Sequence, residues 1–372
     1  MTATPSIWQP HYTLTSVIAR GLMEIEAARA VVATTTLPPA VEAALQQRAR
    51  LRSTHYSTRI EGNRLTLAQA EQVVASRKAA FHGRERDVSE VRNYWHALLR
   101  VEEWAAKKEP VTEELLRRLH ALVEKGARAR PSVYRDGQNV IRDSASNAIV
   151  YLPPLANDVP RLMAGLVAWL KGAEKAQVPV PIVAGLAHYQ FVTIHPYYDG
   201  NGRTARLLAT FILCRADYGL NGFFSLEEHH ARDLEAYYHS LAIHPHHNYY
   251  EGRAQADVTP WLEYFVTSVA TVFQTVKTET MQCVRKGTVV EPDAVRKLDR
   301  RARRILALFS QQDRITTSEV AGVLGLSDRM ARLLMQTWVK AGWLVVMQAS
   351  NRARAYGLAE SYRHIIGNVS AK

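Results

Sequence analysis

Cysteine is scarce in this chain: Cys214 and Cys283 are the only two among 372 residues. Both fall in helix-like stretches, so free thiols and a reducing, cytoplasmic compartment are expected rather than a disulfide framework. Long apolar runs are missing too. LLATFILC, at 207–214, is far shorter than the ~20 residues that cross a bilayer, so no membrane contact is expected. The opening MTATPSIWQPHYTL has neither a basic lead nor an apolar core, and a secretory signal is not expected. No internal repeat or low-complexity segment is visible. Apolar residues make up 47% of the chain, an ordinary globular value that excludes disorder or a fibre. The length suits two or three domains, each with its own core.

Acidic residues run short towards one end. From Arg296 to Lys372 there are fourteen Lys or Arg against five Asp or Glu, a surplus of nine within the net charge of +12. A basic surplus packed into the last fifth points to a polyanion partner there.

Most of residues 14–280 has helical periodicity. Leu14, Val17, Ile18, Leu22 and Ile25 form one apolar stripe. The next helix is expected to start at Pro38-Pro39 and stop at Gly62-Asn63. TLAQAEQVV (66–74) and DVSEVRNYWHALLRVEEWA (87–105) follow, opening with Thr66 and with Asp87 or Ser89 as N-caps. The 134–154 stretch breaks the pattern, because Val140 and Ile141, then Ile149, Val150 and Tyr151, flank a polar RDSASNA. That is the profile of a β-hairpin closed by two prolines. Helices resume at 158–173 and 181–195, and RTARLLATFILCRADYGL is expected to stop near Gly219. Beyond Pro292 a short helix (303–312) leads to a helix, a turn at Gly325 and a second helix. Thr317 or Ser318 should cap the first and Ser327 or Asp328 the second, with strands WLVVMQ and ARAYGL after them.

HPYYDGNGRTAR (195–206) carries the chemistry. A helix starting just after Gly202 would point unpartnered N–H groups and its positive dipole end at an anion. Gly200 and Gly202 let the backbone turn tightly and approach a phosphate. Arg203 and Arg206, three apart on one face, add fork-shaped donors. Asp199 is a hard oxygen ligand suited to Mg²⁺ bridging phosphates. His195, ending the preceding helix, is a base near neutral pH. These parts suit attack by a hydroxyl on a nucleotide phosphorus with pyrophosphate leaving.

The stretch resembles the signature of the Fic (filamentation induced by cyclic AMP) family, H-x-F-x-D/E-G-N-G-R-x-x-R. Only Tyr197, standing for Phe, departs from it. An inward-packing Tyr197 would need a partner for its hydroxyl. The resemblance extends over roughly residues 50–270, through AHYQFVTIH and VYLPP. It implies a mainly α fold, a helical core with a β-hairpin flap, and transfer of AMP from ATP to a Ser, Thr or Tyr hydroxyl of a protein. It assigns His195 as base and Asp199 as the Mg²⁺ ligand. Gly200, Asn201 and Gly202 become the anion hole, with Thr204 beside it, and Arg203 and Arg206 hold the β- and γ-phosphates. Ile149, Val150 and Tyr151 belong to the flap that pairs with the target. In EAYYHSL (235–241), Tyr238 is the expected adenosine contact and Tyr237 its rival.

STRIEGN (57–63) puts Ser57 and Glu61 one turn apart on one helix face, with the acid near an unfavourable C-terminal dipole end. It resembles the family's inhibitory motif S/T-x-x-x-E-G/N. There the glutamate pairs with the second signature arginine, here Arg206, so a bidentate pair would displace the γ-phosphate. The leading expectation is a self-inhibited protein adenylyltransferase. The alternatives are a DNA-binding regulator with a nucleotide-sensing core, and a hydrolase that removes AMP with Glu61 aligning water. The expected division is an N-terminal helical region at 1–95, a core at 96–288, a basic junction at 289–304 and a winged helix domain at 305–372. In that domain the 327–341 helix would present Arg329 and Arg332, and the wing Arg352 and Arg354, to DNA. EEHHARD (227–233) and HPHHNYY (244–250) have poor spacing for one metal and are expected as polar surface. A homodimer is left open.

Overall fold

The helix punctuation written in the sequence governs how the chain starts. Helix α1 spans Ser16–Thr34, and α2, Pro39–Ile60, begins on a proline whose missing N–H a first turn does not need. Gly62, at φ +91°, turns the chain after it. Thr66 caps α3 (Leu67–Ala75) through a reciprocal bond with Gln69. Helix α4, Glu85–Ala106, starts two residues before Asp87, and no side chain caps it. It also runs unbroken across residue 95, so the expected boundary there does not exist. Val88, Val91, Tyr94, Leu98 and Val101 form one buried stripe that a division would expose. Thr112 caps α5 (Glu113–Lys125).

The computed structural model describes residues 8–76, 79–127, 130–142, 148–243, 245–285, 298–310, 312–348, 355–360 and 362. The hairpin consists of β1 (Ile141–Arg142) and β2 (Ile149–Tyr151), antiparallel with a register shift; its 143–147 tip lies outside the described residues. Helices α6 (Val159–Lys175), α7 (Val180–Ile194) and α8 (Asn201–Arg215) follow. Helix α8 ends four residues before Gly219, which sits in a turn at φ −75°. The series closes with α9 (Leu226–Arg232), α10 (Leu234–Ala242) and α11 (Thr259–Arg285).

The chain forms two compact units, Met1–Val32 with Arg48–Lys277 and Ala33–Gln47 with Thr278–Lys372. At the centre of the first, α7 packs on α8, and both are buried on nearly every side. Apolar content all round a helix is the mark of a core position rather than a surface one. Trp261, fully buried, donates Nε1–H to the Gly185 carbonyl at 2.8 Å and so fixes α11 to α7. The loop between α7 and α8 is the HPYYDG stretch.

In the second unit, α12 (Arg300–Leu306) precedes β3 (Ile315–Thr316), α13 (Thr317–Leu324), α14 (Asp328–Lys340), β4 (Leu344–Gln348) and β5 (Ala355–Leu358). The sheet order is β3-β5-β4, antiparallel throughout. Strand β3 has no counterpart among the sequence expectations; it is two residues long and shows no periodicity. Thr316, not Thr317 or Ser318, caps α13 with Glu319 in return, and Ser327 caps α14. Ile305, Phe309, Met335, Trp338, Trp343 and Tyr356 fill the core. Arg329 and Arg332 are exposed on α14. Arg352 and Arg354 lie outside the described residues, as do residues 289–297 of the junction.

Candidate active site

Helix α7 ends on His195 and α8 begins on Asn201, so two buried helices present opposite dipole ends to one short loop. His195 takes the left-handed conformation (φ +51°, ψ +59°), and its N–H bonds the Phe191 carbonyl at 3.0 Å. Such a backbone is strained for a residue with a Cβ and persists only where its surroundings hold it. Its Nδ1 lies 3.2 Å from the Val192 carbonyl oxygen. A carbonyl only accepts, so Nδ1 carries the proton and Nε2 keeps a lone pair for a substrate. Burial pushes the imidazole pKa down to about 4, outweighing the Val192 bond, which raises it.

Gly200, at φ +74°, is the N-cap of α8 and offers no side-chain cap, leaving the first N–H groups of the helix for another acceptor. Asp199 supplies part of that need, since its Oδ1 accepts from Gly200 N at 2.6 Å. The Asn201 side chain is turned to a different task. Its Oδ1 accepts from Tyr197 N at 3.1 Å and its Nδ2 donates to Tyr197 O at 2.8 Å, clamping the loop. Thr204 is fully buried and its hydroxyl finds no partner among the described residues.

Both arginines are buried, and each is met by at least one acid. Arg206 donates from Nε to Ser57 Oγ at 2.9 Å and from Nη2 to Ser57 O at 3.0 Å and to Glu61 Oε1 at 2.8 Å. The Glu61 pair is therefore single, not the bidentate pair expected from sequence, because Ser57 takes the remaining edge. A Cβ added at Gly202 would collide with Glu61 Oε1, so that carboxylate lies over the cradle. Arg203 Nη2 lies 2.9 Å from Glu124 Oε1 and 3.1 Å from Asp199 Oδ1, and a Cβ at Gly200 would collide with Glu124. Burial raises the Glu124 pKa, and Arg203 opposes the rise.

Tyr237 is buried beneath Arg206 and shares its hydroxyl with His188 Nε2 at 3.1 Å. Tyr238 is half-exposed, with its hydroxyl 3.4 Å from the Ile60 carbonyl beside Glu61. On the hairpin, Ile149 and Val150 are exposed, but Tyr151 is buried and donates to Thr193 O at 2.7 Å. Tyr151 thus anchors the hairpin to α7 rather than facing outward. The histidine stretches also need correction. His230 is buried, bonded to Tyr264 and stacked on Tyr237, not surface. Leu152 N donates to the His247 carbonyl at 2.8 Å, so the 245–250 loop pairs with the end of the hairpin. Among the described residues no group of three or more His, Cys, Asp or Glu could hold a metal by itself.

Several residues at the site carry no signal in the sequence. Glu124 and His120 sit on the inner face of amphipathic α5, where a lone acid or histidine has no telling spacing. His120 stacks on Tyr197 at 3.5 Å between ring centroids and reaches the Asp199 carbonyl at 2.9 Å through Nε2. Mg²⁺ commonly binds through one or two carboxylates plus substrate phosphates. The donor set here fits that mode: Asp199 is half-exposed, and its Oδ2 is met at 3.2 Å by Arg86, itself mostly exposed and also paired with Glu90 at 2.8 Å.

The Tyr197 hydroxyl, expected to find a partner, finds none among the described residues. Its ring fills a slot between His120, Tyr134 and Phe191 that a phenylalanine would fill as well. Tyr197→Phe should therefore raise unfolding stability by about 1 kcal/mol by removing an unsatisfied buried hydroxyl. Urea unfolding of the two proteins checks this; a lower midpoint would mean that the hydroxyl is bonded in solution.

Residues 110–213 match the Fic/DOC family. Among curated proteins, the chain is 32% identical over 171 residues to the protein adenylyltransferase Fic of Drosophila grimshawi, covering 44% of this chain and 33% of that one. The Drosophila melanogaster protein of the same name is 31% identical, with 44% and 32% covered. The chain thus spans about a third of the length of these relatives. Among solved structures, a Fic family protein from Desulfovibrio desulfuricans G20 aligns over 95% of this chain and 99% of its own, with TM-score 0.59 and 26% identity. A Fic domain protein from Bacteroides thetaiotaomicron shares the fold, with TM-score 0.60, 21% identity, and 73% and 99% covered. The signature loop, seated between two buried helices, thus falls within the 110–213 stretch that matches the Fic/DOC family, and the chain shares its fold with solved Fic family proteins.

Proposed function

We propose that the chain is a self-inhibited protein adenylyltransferase, moving AMP from ATP to a hydroxyl of a protein target. The contact that carries this reading is Glu61 over Gly202 and on Arg206, an internal anion in an anion cradle. The chain's own residues supply binding, orientation and a base. Nε2 of His195 takes the proton of the target hydroxyl as that oxygen bonds to the α-phosphorus. The bond from the α-phosphorus to the bridging oxygen breaks, and pyrophosphate leaves. Backbone N–H groups at the start of α8, with Arg203 and Arg206, receive the charge of the leaving group. Asp199 would hold Mg²⁺, which neutralises phosphate charge when bound. Exposed Ile149 and Val150 offer side chains on the hairpin to an extended target segment, which would replace His247 Nδ1 at the Val150 carbonyl if it paired there.

In the resting state Glu61 holds a guanidinium N–H that the γ-phosphate needs, so ATP binds without correct alignment. Incubation with Mg²⁺ and ATP labelled at the α-phosphate, with cell extract as acceptor, tests this. Protein labelling should rise at least about tenfold in Glu61→Gly and vanish when His195→Ala is added. Equal labelling by wild type and Glu61→Gly would refute self-inhibition. Absence of label in both would refute adenylyl transfer, and loss of AMP from a modified target only when Glu61 is present would favour the hydrolase.

The pH profile follows from the buried imidazole. A base must be neutral, and His195, with its pKa pushed down to about 4, stays neutral well below pH 6. The transfer rate of Glu61→Gly should be flat between pH 8 and 6. An ordinary histidine near 6.5 would cut the rate to roughly a quarter at pH 6.

For the second unit we propose DNA as the polyanion. Arg329 and Arg332 stand exposed on the first turns of α14, the second helix of the helix-turn-helix order. Replacing both by alanine should reduce the slope of log affinity against log salt by about two on duplex DNA, roughly one for each phosphate that is no longer neutralised. An unchanged slope would leave the basic surplus without a DNA role.

A further inference from the structure

Arg135 lies between α5 and the hairpin and is almost wholly buried, at 3% exposure. Among the described residues no carboxylate pairs with it. Its neighbour Asp136 accepts from the Tyr198 hydroxyl at 2.7 Å instead. The guanidinium is directed at three carbonyls. Nε donates to His195 O at 2.9 Å, Nη1 to Gly137 O at 2.9 Å, and Nη2 to Pro154 O. Arg135 N also donates to Pro196 O at 2.9 Å.

A buried cation without an anion is costly unless fixed dipoles replace water. Here the negative end of α7 does part of that, since His195 is its C-cap. The identity of the three acceptors matters more. One belongs to the proposed base, whose left-handed backbone needs outside support. The other two flank the hairpin, Gly137 before β1 and Pro154 after β2. A planar guanidinium fixes the directions of its donors, which a lysine ammonium cannot do.

We infer that Arg135 is a positioning residue that sets the distance and angle between the target-presenting hairpin and the His195 imidazole. This rests on the adenylyl-transfer reading for its kinetic consequence, but not for its structural one. Arg135 bonds neither the two cradle arginines nor the cradle glycines, so nucleotide binding should be insensitive to it. Transfer requires a hydroxyl on the hairpin side to meet Nε2, and small misplacements of reacting groups cost up to ~10²-fold.

The test compares Glu61→Gly with Glu61→Gly carrying Arg135→Lys, in the full chain. The lysine keeps the charge and loses the three-way geometry. Transfer to protein should fall roughly 30-fold while ATP affinity, by direct titration, changes less than about twofold. Hydrogen exchange gives a reading independent of activity. Exchange at the hairpin amides and at His195 and Tyr197 should accelerate together by about tenfold, with the body of α8 unchanged. Transfer within twofold of the parent, loss in proportion to ATP affinity, or exchange that is unchanged or raised throughout the chain would each overturn the inference. If Arg135→Lys fails to fold, Arg135→Gln removes the buried charge, keeps an amide donor and is read by the same comparison. If the Glu61→Gly parent itself transfers no label, adenylyl transfer fails and hydrogen exchange alone decides the role of Arg135.

Discussion

The guanidinium of Arg206 is the group around which the site is arranged. It is 3% exposed, and burying such a cation without partners would cost several kcal/mol. Its partners come from the end of α2 and from Tyr237, with Ser57 supplying both a hydroxyl and a carbonyl. Glu61 is therefore one anion added to an arginine that neutral acceptors already hold in place. This division of labour matters for any exchange of anions. Loss of Glu61 would leave Arg206 its Ser57 and Tyr237 contacts, so on the proposed reading the arginine would stay placed for a phosphate.

A similar division appears where α7 meets α8. In the proposed reaction a general base near neutral pH must be neutral and a phosphate cradle positive; the two helix ends would separate these needs over a six-residue loop. Burial keeps His195 unprotonated beside a region that attracts anions, and the Val192 bond selects the tautomer that exposes Nε2. Asn201 holds the loop shut by bonding both the N–H and the carbonyl of Tyr197. His120 supports it from below through the Asp199 carbonyl. Loop shape is thus set by side chains that make no use of the nucleotide.

What is legible in the sequence follows from range. Helices with an apolar stripe or all-round burial can be read, as can caps such as Thr66 and Ser327, because their signals lie within four residues. The 195–206 loop is legible because all its parts are consecutive. The link from Ser57 and Glu61 to Arg206 spans about 145 residues and comes from family likeness, not from spacing. Glu124 and Arg135 reach the site from elements whose sequence reads as an ordinary amphipathic helix and an ordinary loop. Tyr151 and His230 turn inward against expectation for the same reason: local polarity does not say on which side a core will form.

Two carboxylates, not one, occupy the space above the cradle. Glu61 lies where a side chain at 202 would be, and Glu124 where one at 200 would be. Each also reaches one of the two arginines, Glu61 to Arg206 and Glu124 to Arg203. The two glycines suit the close approach of a phosphate, yet the resting chain needs them for its own acids. A Cβ at either position would expel a carboxylate before it ever met a nucleotide. On the proposed self-inhibited reading, one backbone geometry would serve two anions in turn, with the carboxylate contacts standing where phosphate charge would be received. If the proposed self-inhibition holds, release would mean exchanging one anion for another rather than opening a closed site.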